Sequence, residues 1–106
     1  MSQTEKIEAR ARYRALFDAV SLAINAADPA GLLAVGALSD EYATEIANIL
    51  PRVAAAGTLD DVVDIVHGEF SRWFDADTAG PRHAYRATAE RIWEAVHTYR
   101  SANLKT

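Results

Sequence analysis

The sequence predicts an all-α fold: a compact four-helix bundle formed by a single domain over residues 1–106. Three observations carry this. Apolar residues recur at three- and four-residue steps in four separate stretches, the period of a helix with one buried face. No stretch alternates with period two, so strands are not expected. Short connections after the second and third stretches favour antiparallel neighbours. The 106 residues are half hydrophobic and one quarter charged. A chain of this size buries roughly 60–70% of the surface its unfolded state exposes, enough for one core.

The first helix is predicted from about Ser2 to Ala27. Ser2 and Glu5 have the spacing of a capping box. Tyr13, Leu16, Phe17, Val20, Ile24 and Ala27 form its apolar face. Asp28-Pro29 ends it, because proline disfavours helical backbone in the residue before it. Ala30 to Leu38 then contains no polar side chain, although loops normally run over the surface and are polar. Two readings of this apolar loop stand: a plug over the end of the bundle, or a docking surface for a partner.

The second helix is predicted to begin at Ser39 or Asp40 as N-cap, with Glu41 suiting the positive helix end. Tyr42, Ile46, Ile49, Leu50 and Val53 form its stripe, Pro51 is expected to kink it, and Gly57 is expected as a left-handed cap. Thr58 and Asp61 open the third helix as a second capping box. Its face is Leu59, Val62, Val63, Val66, Phe70, Trp73 and Phe74, which predicts a buried Trp73. Asp75 to Gly80 reads as a polar turn. The fourth helix is predicted from Pro81 to about Ser101, with Tyr85, Ala89, Ile92, Val96 and Tyr99 inward and Trp93 on the flank, also buried.

Chemistry is sparse. The absence of cysteine excludes disulfides, thiolate metal sites and a cysteine nucleophile. No serine sits in a G-x-S-x-G elbow, and no phosphate loop or dinucleotide fingerprint occurs, so no cofactor is expected. Asp64-x-x-His67 and Glu94-x-x-His97 have the spacing of bundle metal ligands. At about 100° per residue, however, Glu94 lies opposite the helix 4 core face and Asp64 well off the helix 3 stripe. No metal is therefore expected. His67 reads as a boundary residue and His83 as exposed. No apolar run reaches the length of a membrane span, and the start lacks the apolar core of a secretory signal, so a cytoplasmic protein is expected.

Charge is unevenly spread. Residues 1–27 carry a net +1, residues 28–80 a net −8 and residues 81–106 a net +3. Either neighbouring helices complement one another, or Asp40, Glu41, Glu45, Asp60, Asp61 and Asp64 form an acidic face that steers a basic partner. The overall balance of −4 argues against DNA.

Several short motifs stand together: Asp28-Pro29-Ala30-Gly31-Leu32, Asp40-Glu41-Tyr42 with Glu45, Ile49-Leu50-Pro51 and Arg72-Trp73-Phe74. With them the chain resembles the YugE-like proteins, small bacterial helical domains of unknown function, over roughly residues 25–97. The resemblance implies a bacterial, cytosolic, single-domain helical protein with no established catalytic role. The chain departs from the family pattern at Ala27, where an aromatic residue is usual, and at Ala43, where an aspartate is usual.

Three functional readings follow, in order of preference. The first is a non-enzymatic protein-binding domain of adaptor or immunity/antitoxin type. A basic partner would contact Leu32, Leu33, Asp40, Glu41, Tyr42 and Glu45. The second is a small-ligand or metal-dependent activity at Asp28, Glu41, Tyr42 and Glu45. The third is RNA binding through helix 1, whose arginines Glu5 and Glu8 dilute and whose aromatics are not interleaved with them.

Overall fold

The computed structural model describes residues 2–32, 34–36 and 40–104. Four long helices dominate: α1 (Gln3–Ala27), α2 (Ala43–Ala54), α3 (Leu59–Trp73) and α5 (Arg86–Leu104). A one-turn helix α4 (Ala76–Ala79) and a 3₁₀ turn (Arg82–Tyr85) lie between α3 and α5. Among the described residues there is no strand.

Helix α1 starts as its sequence predicts, with the Ser2 hydroxyl accepting the Glu5 N–H at 3.1 Å. It ends on Asp28, whose backbone is left-handed at φ 47° and whose N–H donates to the Ile24 carbonyl. Leu16, Val20, Ala23 and Ile24 are buried, whereas Tyr13 of the predicted stripe is largely exposed. Helix α5 runs antiparallel to α1, since the Arg12 guanidinium donates to Asn103 at 2.7 Å and the Tyr13 and Tyr99 rings meet edge to face. No residue of α1 before Leu16 is buried, so its first turns project past the core and lengthen the molecule to 47 Å against 29 and 19 Å.

Helix α2 begins later than predicted. Tyr42 occupies its N-cap without a side-chain capping bond, and Ser39 lies outside the described residues. There the Tyr42 ring is drawn fully into the core, and its hydroxyl bonds back to Asp28, Ala30 and Leu32. The helix then runs through Pro51 to Ala54. Gly57 does not cap it, since its φ is not positive. Instead the Arg100 guanidinium, from the far end of α5, donates to the Ala54 carbonyl at 2.8 and 3.1 Å and also to that of Ala56. A cation at a helix C-terminus satisfies orphan carbonyls and suits the dipole, which makes a glycine cap unnecessary.

Helix α3 opens on the Thr58 hydroxyl, which accepts the Asp61 N–H at 3.1 Å, and the Asp61 carboxylate accepts the Gly57 N–H at 3.2 Å. It packs antiparallel on α2, with Tyr42 against Phe70 and Phe74 at one end and Asn48 against Glu69 further along. The predicted burial of Trp73 is wrong: the side chain is 50% exposed. Its indole N–H needs an acceptor, and Glu69 supplies one at the rim of the core. Trp93 is half-buried, edge-on to His97 and under the Arg100 guanidinium.

The predicted polar turn contains α4, capped by the Asp75 carboxylate on the Thr78 N–H at 2.7 Å. The chain then returns along α3, with Gly80 beside His67, Arg82 beside Asp64 and Arg86 beside Asp60. Tyr85 is buried here, and its hydroxyl donates to the Ala79 carbonyl at 2.5 Å. This tie holds residues 82–85 in a 3₁₀ turn, so the last α-helix starts at Arg86 rather than Pro81.

Candidate functional site

The six predicted contact residues do not form one surface. Asp40 and Glu41 are exposed, Leu32 is half-buried against the core, and Leu33 lies outside the described residues. The apolar loop itself divides: Ala30 and Leu32 pack inward, while Ala34 and Val35 are exposed, Val35 at 81%. Tyr42 is 0% exposed, which removes it from any contact surface. Its hydroxyl donates to Asp28 Oδ1 at 2.6 Å and accepts the N–H groups of Ala30 and Leu32 at 3.1 and 3.3 Å. The other oxygen of Asp28 accepts the Ala34 N–H at 2.9 Å. The Asp-Pro-x-Gly-Leu and Asp-Glu-Tyr motifs therefore meet, and what they build is a knot that fastens the loop.

Glu45 corrects a second expectation. It is not on a solvated face with Glu41 but only 9% exposed, and its Oε2 has no hydrogen-bond partner. At about 100° per residue Glu45 shares the side of α2 that carries Asn48 and Arg52, the side turned to α3. The four residues of the ligand reading thus separate into a joined pair, Asp28 and Tyr42, and two that stand apart from it. Among the described residues no three His, Cys, Asp or Glu side chains come together as metal ligands. Asp64 and Glu94 are exposed, as their helical positions predict.

His67 and Ser71 do touch, at 3.2 Å. The same ring nitrogen, Nε2, also lies 3.1 Å from the Gly80 carbonyl. A carbonyl can only accept, so Nε2 carries the proton and cannot act as a base toward the Ser71 hydroxyl. This pair is a strut between α3 and the returning chain.

The arrangement that the sequence reading missed is centred on Glu69. This carboxylate is 3% exposed and collects Asn48 Nδ2 at 3.0 Å, Arg52 at 3.5 Å and the Trp73 indole N–H at 2.5 Å. Buried charge is tolerated only when paired in this way. Trp73 is thereby held rigid at the surface, with the Arg72 guanidinium 5.5 Å over its ring. Because α2 and α3 are antiparallel, Glu41 at the start of α2 lies at the same end as Trp73, and exposed Asp75 and Asp77 follow directly in the chain. A signal was present: Glu69 interrupts the apolar stripe between Val66 and Phe70, exactly one turn before Trp73.

Tyr42 and Tyr85 hold their protons above the usual phenol value, Tyr42 through burial and the Asp28 carboxylate, Tyr85 through burial and the neighbouring Tyr42. In the unfolded chain both ionise near 10.0. Their contribution to stability is therefore full below that pH and is lost as pH rises through the higher folded values. Alkaline titration followed by tyrosinate absorbance should show both ionising together with unfolding. Titration of all four tyrosines before any loss of helical signal would contradict this.

Comparison with protein-family models, with curated proteins and with solved structures gives no match to this chain.

Proposed function

We propose that this chain is a non-enzymatic protein-binding domain of adaptor or immunity/antitoxin type, in which four long helices act as one bundle and present Trp73 to a basic protein partner. The observation that carries the reading is the half-exposed indole, immobilised by a buried carboxylate. Binding energy concentrates on such pre-ordered aromatic and arginine side chains, because little entropy is lost when they are covered. The exposed acids at the same end of the α2–α3 pair, Glu41, Asp75 and Asp77, outnumber Arg72 and Arg52, the cations beside the indole and its carboxylate, and favour a basic partner. Asp60 and Asp64 do not belong to this rim, since they pair with Arg82 and Arg86. A bacterial, cytoplasmic setting and a place among the YugE-like proteins belong to the same proposal.

Trp73→Ala should leave the helical fold intact while costing about 1–3 kcal/mol, because the buried Glu69 carboxylate loses a donor. It should weaken binding of a partner captured from the native host by at least about tenfold. Glu41→Lys should slow association and flatten its salt dependence. A partner that binds Trp73→Ala as tightly as wild type refutes this reading.

A further inference from the structure

The projecting end of α1 carries a second surface. At about 100° per residue, Lys6, Arg10, Tyr13, Arg14 and Phe17 occupy one side of the helix, within roughly a 100° arc. Glu5, Glu8 and Arg12 lie outside that arc, and Arg12 is turned to Asn103 of α5. The glutamates therefore do not dilute the basic face, and the aromatics are interleaved with it, both contrary to the sequence reading. Tyr13 and Phe17 form an open, largely apolar face with Ala9, Arg10 and Arg14, all from α1 itself. Further along the same side, α2 covers the helix, where Phe17, Ser21 and Asn25 face Ala43 and Ile46. Among the described residues, the face that α2 occupies toward the C-terminus of α1 is uncovered toward its N-terminus.

We infer that this bare face binds an acidic amphipathic helix from a partner protein, which continues the layer that α2 begins. Tyr13 and Phe17 supply the apolar seam, and apolar residues spaced i, i+3, i+4 and i+7 on the incoming helix fill it. Arg10, Arg14 and Lys6 flank the seam and select glutamates and aspartates on its borders. Arg14 already pairs with Asp18, but both are exposed, so the pair exchanges readily for another. A second copy of the chain does not suit the face, because two-fold pairing brings Lys6, Arg10 and Arg14 of both copies into one contact, where like charges repel. Nucleic acid is the lesser fit, since three cations neutralise few phosphates and the surface between them is apolar.

The test titrates the full chain with a synthetic helical peptide bearing leucine at i, i+3, i+4 and i+7 and glutamate elsewhere. The same sequence with lysine for glutamate, single-stranded RNA and phosphatidylglycerol vesicles serve as comparisons. The glutamate peptide should bind, more weakly as salt rises, and Arg10→Glu/Arg14→Glu should reduce its affinity at least about tenfold. Tyr13→Ala should also weaken it, while Trp73→Ala leaves it unchanged, which separates this surface from the one proposed above. If the double reversal shifts the thermal melt, Arg10→Gln carries the same comparison with less disturbance. Equal binding of the lysine peptide, undiminished binding by the arginine variants, or binding of RNA or vesicles in place of the glutamate peptide would overturn the inference.

Discussion

Phe70→Ala should destabilise the protein by about 3–5 kcal/mol, the range for truncating a large aromatic in a core. Phe70 is fully buried, stacks on Phe74 at 6.0 Å and meets Tyr42 and Tyr85 at 5.5 and 6.2 Å. Phe70 touches both the start of α2 and the 3₁₀ turn before α5, so its loss opens a cavity where these elements converge. Urea unfolding measures the cost directly. A loss below about 1 kcal/mol would mean that the aromatic cluster is not the centre of the core.

Tyr42→Phe should cost about 1–3 kcal/mol, although it removes a single oxygen. That oxygen serves Asp28, Ala30 and Leu32 together. Deleting it takes one donor from a half-buried carboxylate that keeps the Ala34 N–H, and removes the acceptor of two backbone N–H groups, and unmade hydrogen bonds of this kind are costly. The ring stays, so packing against Phe70 is preserved and the effect isolates the knot. Hydrogen exchange should speed up at Ala30 and Leu32 while the interior of α3 stays protected. Unchanged exchange at those two amides would show that the loop is held by its apolar contacts alone.

Much of the fold is written locally in the sequence. The caps at Ser2 and Thr58 and the core positions of α3 and α5 follow from hydrophobic period and side-chain spacing, and the structure has them where those signals put them. What failed was nonlocal. The start of α2 depends on a hydroxyl–carboxylate bond to a residue fourteen positions earlier. The end of α2 depends on Arg100, separated from Ala54 by forty-six positions. Trp73 lies on an apolar stripe yet sits at the surface, because its neighbour Glu69 is the residue that turns inward. Amphipathic spacing ranks positions by hydrophobicity and cannot see a buried carboxylate that draws a ring to the rim. The candidate site was less legible than the fold for this reason: Tyr42 fits both the apolar stripe and a contact surface, and Glu45 looks like a surface residue, until their partners, or the lack of one, are known.

The antiparallel pairing of α1 with α5 bears on how the chain reaches this state. Arg12 and Asn103 meet across ninety-one positions, so α1 and α5 can join only after the chain between them has closed into one loop. Closure entropy grows with loop length, and contacts of such separation form late. Until α5 has been made, Leu16 and its neighbours on α1 wait beside an unfinished core. The α2–α3 hairpin, joined by a short turn, has no such delay. Folding should therefore begin at that hairpin and end with the docking of α5 on α1, and a chain stalled before α5 would hold a formed hairpin beside an α1 whose α5-facing side is uncovered.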